Sequence, residues 1–292
     1  MLVSEISRII LGFWRLQNVS MKEITHLLNV ALGAGINTID QADTYGNYTS
    51  QNILGRAFKA DRSIRKKFKI IGKAGIVLKG MPNSDSKINY YDTSREHIIE
   101  SVNATLKDLG TDYLDCLLIH RPDQLMNPYE VDSTFQELRK EGKVLHFGVS
   151  NFTPSQFDMM QRCMTTPLEF NQIEFSGLNS KPLFDGTLDQ CIQKQVIPLA
   201  WSPLAGGDIF TGTNEQSVRV RTAMEDIASE LGGYALDAIA LAWILKHPSN
   251  VHPIIGTMKV ERIKSATRAQ SVSLSNEQWY RILTASQGHA VP

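Results

Sequence analysis

Short apolar runs alternate along this chain with stretches whose apolar residues recur at helical spacing. The runs cover residues 8–11, 36–40, 68–72, 114–119, 144–149, 170–174, 196–200 and 252–255, eight in all. The stretches between them carry helix start and stop signals. Ser20 with Glu23 forms a capping box ahead of Ile24, Leu27, Leu28, Ala31 and Leu32 on one face. Thr93 with Glu96 forms another ahead of Ile98, Val102, Leu106 and Leu109, with Gly110 as the stop. Thr153, Pro154 and Gln156 supply a cap, a proline for the first helical position and an amide that reaches back.

Strands separated by helices pair in parallel through right-handed crossovers. Eight such repeats predict a (β/α)8 TIM barrel, an α/β fold with residues 1–292 in a single domain. A doubly wound open sheet fits the same alternation, but no G-x-G-x-x-G follows the first run. Two irregular stretches, 75–92 and 203–216, are rich in Gly, Pro, Asn, Ser and Thr and read as binding loops.

Composition narrows the picture. Thirty basic residues balance thirty acidic ones, which gives a net charge of zero and no electrostatic footprint for nucleic acid or a membrane surface. Cys116, Cys163 and Cys191 are too few and too scattered for a disulfide framework, and no metal-ligand spacing occurs. The start of the chain lacks a basic segment followed by an apolar one, and no run approaches the ~20 apolar residues that cross a bilayer. These features predict a cytoplasmic protein with no metal, membrane or nucleic-acid partner.

The informative polar residues lie at the C-terminal ends of successive runs. Asp40 and Tyr45 follow the second, Lys73 the third and His120 the fourth; Ser150 and Asn151 follow the fifth. Gln172 lies within the sixth, Trp201 and Ser202 follow the seventh, and Gly256 and Thr257 the eighth. In a parallel barrel these ends open on the face where active sites are built. The residue types suit carbonyl reduction. A tyrosine is protonated at neutral pH and can act as the acid for a developing alkoxide. A lysine beside it stabilises the phenolate left behind, an aspartate balances the buried ammonium, and a histidine orients the substrate oxygen. Singly, Asp40 reads as a turn residue, Tyr45 as packing, Lys73 as a strand-end lysine and His120 as a structural histidine; together they form a reductase constellation.

These motifs bring the chain close to a known family. Residues 35–46, running Gly-Ile-Asn-Thr-Ile-Asp-Gln-Ala-Asp-Thr-Tyr-Gly, resemble the aldo-keto reductase signature around its catalytic Asp and Tyr. Ile70-Ile71-Gly72-Lys73 is similar to the segment with the catalytic lysine, the stretch 112–122 to the strand ending in the catalytic histidine, and residues 148–152 to the nicotinamide-binding turn. The resemblance covers the whole chain and is closest to the bacterial branch with Tyr-Gly and His-Arg-Pro-Asp.

What it implies is an NADPH-dependent reductase of aldehydes or ketones, reversible to alcohol oxidation, with Tyr45 as general acid tuned by Asp40 and Lys73 and with His120 on the carbonyl. Ser150, Asn151 and Gln172 would hold the carboxamide. Trp201, standing where many members have tyrosine, would stack on the ring. Ser202, Leu204, Gly206 and Gly207 would line the pyrophosphate. Thr257, Lys259 and Arg262 would bind the 2′-phosphate, which favours NADPH over NADH. Ser265 and Ala266 depart from the acidic residue and amide that many relatives place near the adenine, and Gln51 from a glutamate. Phe13, Trp14 and Tyr48 would wall the substrate pocket, with Tyr90 and Tyr91 either beside it or packed outside. Arg121 and Asp123 would touch a polar substrate or pair with each other. Two other readings share the barrel: a cofactor-binding sensor or regulatory subunit with little turnover, and a Schiff-base aldolase with Lys73 as nucleophile. Oligomeric state is not set by the sequence.

Overall fold

The computed structural model describes residues 4–16, 19–80 and 86–292. The chain forms two compact units, residues 1–171 and 172–292.

The first unit contains strands β1 (Ile10–Gly12), β2 (Thr38–Asp40), β3 (Lys69–Ala74), β6 (Leu114–Ile119) and β7 (Val144–Ser150), with helices α1 (Met21–Gly33), α2 (Ser50–Ala60), α3 (Arg62–Arg65), α4 (Arg95–Leu109), α5 (Pro128–Lys140) and α6 (Pro154–Cys163) between them. A small antiparallel ribbon pairs β4 (Ile76–Val77) with β5 (Tyr90–Tyr91). Strand β8 (Phe170–Glu174) begins at the end of this unit. The second unit contains α7 (Thr187–Lys194), β9 (Ile197–Trp201), α8 (Asp208–Thr211), α9 (Glu215–Glu230), α10 (Leu236–Leu245), β10 (His252–Ile255), α11 (Val260–Arg268) and α12 (Asn276–Gln287). The parallel strands follow the order β1-β10-β9-β8-β7-β6-β3-β2 in a closed barrel, the (β/α)8 fold expected from the alternation.

Burial explains the strand pattern. All six residues of β6 and all four of β10 are buried, because helices cover one side and the barrel interior the other. Registers place Asp40 opposite Ile71 and Lys73 opposite Leu118, so the polar residues come at neighbouring strand ends. The helices contribute aromatic packing from outside. Phe135 of α5 stacks on Phe147 of β7 at 4.1 Å between centroids. In the second unit Trp243 and Trp279 stack at 5.2 Å, and each indole N–H donates to the other's carbonyl. Gly55 permits α2 to approach α4: a Cβ there would lie 1.9 Å from the Asp108 carbonyl oxygen.

The caps confirm two of the three signals. Ser20 with Glu23 and Thr153 with Gln156 form complete capping boxes. The third signal moves by one residue. Ser94, not Thr93, caps α4 by accepting from the His97 N–H, while the Thr93 hydroxyl donates to Asp123 at 2.8 Å. Gly110 ends α4 in a left-handed conformation with φ of 66°, as its position suggested.

The two irregular stretches carry more structure than their composition indicates. Stretch 75–92 contains the β4–β5 ribbon, with residues 81–85 outside the described set. Stretch 203–216 contains a single turn of 3-10 helix at Ala205–Gly207, then α8 and the start of α9.

Candidate active site

In the first unit, three side chains predicted for catalysis meet in one hydrogen-bonded cluster. Asp40 ends β2, and Lys73 lies one residue from the end of β3. Tyr45 sits in a turn after β2 that is closed by the Tyr45 N–H on the Ala42 carbonyl. The Lys73 ammonium is 1% exposed. It donates to the Asp40 carboxylate at 2.7 Å and 2.8 Å, to the Gln41 carbonyl at 2.9 Å and to the Tyr45 hydroxyl at 2.8 Å. The Tyr45 hydroxyl in turn donates to Asp40 Oδ2 at 3.2 Å. A buried ammonium without such partners would be prohibitively costly; here every donor has an acceptor.

His120 follows β6 and joins through ring geometry: its imidazole meets the Tyr45 ring edge-on at 6.0 Å. Its main chain is fixed by donation to the Ala74 carbonyl, the residue after Lys73. Its Nδ1 is buried without a hydrogen-bond partner.

Electrostatics sort the groups into roles. Burial, and then the neighbouring Asp40 charge, hold the Tyr45 phenol well above the ordinary tyrosine value, so it stays protonated. Burial draws Lys73 downward while Asp40 pulls it back. Burial, with Lys73 and Arg121 adding positive charge, holds His120 well below the ordinary histidine value, so its ring is neutral at pH 7. The cluster therefore offers a protonated phenol against an ammonium, beside a neutral imidazole. That is a device for donating a proton to an oxygen that gains negative charge.

Other predicted residues have definite places. Ser150 ends β7 and is 1% exposed; its hydroxyl accepts from the Asn151 amide at 2.8 Å, and Asn151 has a left-handed φ of 62°. Phe13 is fully buried, whereas Trp14 is 49% exposed with the Arg15 guanidinium 4.3 Å over its ring. Tyr48 bridges to the ribbon, donating to the Ile76 carbonyl and accepting from the Leu78 N–H. Asp123 accepts from Thr93 and from the Leu125 N–H. Tyr90 and Tyr91 are exposed on β5.

In the second unit, Gln172 is buried in β8 and Trp201 ends β9, half-buried. The loop after β9 turns through left-handed residues: Ser202 at 47°, Ala205 at 49°, Gly206 at 68° and Gly207 at 116°. A Cβ at Gly206 or Gly207 would meet nothing within 4 Å, so this backbone is open to a ligand. Lys259 is the N-cap of α11, Arg262 lies in its first turn, both are exposed, and no side chain caps the helix. The Thr257 hydroxyl accepts from the Lys259 N–H at 3.1 Å. Cationic side chains at an uncapped helix N-terminus and an open left-handed loop fit an anionic phosphate ligand. Ser265 donates to Asp237 at 2.7 Å.

Two participants escaped the sequence reading. The Gln41 main-chain carbonyl takes one of the Lys73 protons. Asp43 anchors the tyrosine turn through Ser101, which lies 58 positions away. Residue type in the Asp-Thr-Tyr stretch was a signal for Asp43, but nothing local marks its partner. Among the described residues no cluster of His, Cys, Asp or Glu could hold a metal ion, and no helix is long and apolar enough to cross a membrane.

The model of the aldo/keto reductase family matches residues 8–286. The chain belongs to the aldo/keto reductase family. As a member it is an NAD(P)H-dependent oxidoreductase acting on small-molecule carbonyl compounds. The oxidoreductase YcsN of Bacillus subtilis is 43% identical, over 99% of this chain and 97% of the relative. A 6-dehydroglucose reductase of Agrobacterium fabrum is 40% identical, over 98% and 96%. A solved thermostable aldo-keto reductase in complex with the inhibitor epalrestat superposes with a TM-score of 0.82 at 27% identity, covering 96% of this aldo/keto reductase and 95% of that chain.

Proposed function

We propose that this aldo/keto reductase reduces an aldehyde or ketone at the expense of NADPH, with Tyr45 as general acid. The observation that carries the reading is the Lys73 ammonium, bonded at once to Asp40 and to the Tyr45 hydroxyl. The bound nicotinamide would supply the hydride to the carbonyl carbon. Tyr45 gives its proton to the carbonyl oxygen as that oxygen becomes an alkoxide. Lys73 donates to the phenolate that remains, and Asp40 keeps the lysine charged and aimed. Neutral His120 donates to the same substrate oxygen and fixes its direction.

The remaining roles belong to the same proposal. Ser150, Asn151 and Gln172 would hold the carboxamide. Trp201 would face the ring, Ser202, Leu204 and Gly206 would line the pyrophosphate, and Thr257, Lys259 and Arg262 would read the 2′-phosphate. Phe13, Trp14 and Tyr48 shape the substrate side, with Phe13 supporting from beneath because it is buried. Residues 1–292 act as one barrel domain. The three cysteines are free thiols, in keeping with a cytoplasmic setting.

NADPH consumption across aldehydes, ketones, dicarbonyls and 6-dehydroglucose tests the reading, with Tyr45→Phe as control. Turnover by the wild type, and a loss of at least about a hundredfold in the variant with cofactor affinity unchanged, is expected. Tight NADPH binding without oxidation by any substrate would instead support a sensor or regulatory role. Substantial turnover by Tyr45→Phe would remove Tyr45 as the acid.

A further inference from the structure

A second buried carboxylate lies beside the cluster and is not used in the proton transfer derived above. Asp43 precedes Tyr45 by two residues in the same turn and is 7% exposed. Its main-chain N–H donates to the Lys73 carbonyl at 3.4 Å. One carboxylate oxygen accepts from the Thr44 N–H at 2.7 Å and the other from the Ser101 hydroxyl at 2.6 Å. Ser101 is itself buried on α4. The Asp43 side chain thus ties the tyrosine turn to α4, and its backbone ties the turn to β3.

His97 on α4 lies near enough to act on the Asp43 charge and keeps a buried Nε2 without a partner in the protein. The titratable and charged groups that face Asp43 are His97 from α4, Lys73 from β3, and Tyr45 and Tyr48 from its own loop. A charge on Asp43 therefore acts on both members of the Lys73–Tyr45 pair.

We propose that Asp43 is a positioning residue for Tyr45 whose ionisation tunes the reaction: as a carboxylate it opposes formation of the Tyr45 phenolate, and on taking up a proton it releases that opposition. The inference rests on Tyr45 acting as the acid. Burial pushes the Asp43 carboxyl up to about 6, against the opposing pull of Ser101, the Thr44 N–H, His97 and Lys73. Its charge accordingly changes over a range in which Tyr45 remains a phenol. The step is a single protonation from solvent and leaves the hydride chemistry unaltered.

The test measures single-turnover carbonyl reduction by the NADPH-bound enzyme between about pH 5 and pH 8, for wild type, Asp43→Asn and Ser101→Ala. Carboxyl NMR of the free enzyme, with the Asp43 signal identified by its loss in Asp43→Asn, follows the titration independently of activity. The wild-type rate is expected to step upward as pH falls through about 6, by up to about tenfold if the Asp43 charge moves Tyr45 by one pKa unit. Asp43→Asn should stay near the acid-limb rate throughout. Ser101→Ala removes a bond that favours the charged form, so the rate and NMR midpoints should move to higher pH together.

A step that persists in Asp43→Asn overturns the proposal. So does a rate lowered by one factor at every pH, the mark of a merely structural residue. If Asp43→Asn fails to fold, Ser101→Ala decides: an NMR midpoint that moves while the rate midpoint stays overturns it. If the wild type reduces no carbonyl at any pH, the reductase reading fails instead. The Tyr45 ring signals then decide for Asp43: tracking its midpoint supports the coupling, and ignoring it overturns it.

Discussion

A charged side chain acquires its role here from what surrounds it. Two cationic residues show the contrast. Lys73 is buried and every donor is engaged, so its charge is shared among Asp40, the Gln41 carbonyl and the Tyr45 hydroxyl in a medium where electrostatics are strong. Arg262 is exposed in the first turn of α11, where only a ligand's anion can give it comparable work. If Arg262 reads the 2′-phosphate, Arg262→Ala removes a charge-assisted bond worth about 1.5–3 kcal/mol. NADPH affinity should then fall by about tenfold to a hundredfold, while NADH affinity stays within about twofold. Fluorescence titration with the two cofactors measures the difference. Equal losses would mean that the guanidinium supports the helix rather than the phosphate.

Elements were legible where burial is continuous and less so where neighbours compete. The runs at 114–119, 170–174 and 252–255 became strands with unchanged bounds, and all of their residues but Glu174 are buried. The first run, at 8–11, shifted to Ile10–Gly12, since burial continues into Gly12 and pairing of Gly12 with Asp40 extends the ladder. Thr93 and Ser94 are adjacent hydroxyls equally able to cap α4, and only the distant Asp123 decides between them by claiming Thr93. The β4–β5 ribbon was hidden because two-residue strands have no period to detect. The Asp40–Tyr45–Lys73 cluster was readable from strand ends as a candidate site, whereas the Asp43 clamp was not, because it depends on Ser101 across the fold. Close packing of elements is likewise visible in sequence only as a lone glycine. Gly55 sits mid-helix in α2, where alanine is intrinsically better by about 1 kcal/mol. The added Cβ would lie 1.9 Å from the Asp108 carbonyl oxygen and 2.8 Å from the Leu109 Cα, both backbone atoms. Gly55→Ala should therefore destabilise the protein by about 1–3 kcal/mol in urea titration, against its helix propensity. A neutral or stabilising result would show that α2 can shift away from α4.

At the scale of the molecule, the two ends of the strands divide labour, and the first unit shows the division by itself. Asp40 and Lys73, to which the proposal gives the chemistry, stand at the C-terminal ends. The N-terminal ends hold ion pairs. Lys69 opens β3 and pairs with Glu5 and Asp115. His146 in β7 meets Glu169 at 2.7 Å. Asp115, fully buried in β6, lies at the centre of this group. Its carboxylate accepts from the Ile70 N–H at 2.9 Å and stands 3.6 Å from Arg65 and 3.5 Å from Lys69. Arg65 is only 6% exposed, and its remaining bonds go to the neutral oxygens of Thr111, Phe68 and Tyr113. Asp115→Asn preserves size and the bond from Ile70 but leaves that guanidinium without a counter-charge. Breaking a buried pair in this way costs about 3–5 kcal/mol. The mutation touches none of the groups proposed to meet substrate, and in barrels of this type that end serves stability. Chemical denaturation of Asp115→Asn should thus show a loss of that size, with kcat and KM at low temperature within about twofold of wild type. A variant as stable as wild type but slow in turnover would place Asp115 in the catalytic machinery and erase the proposed division between the two ends.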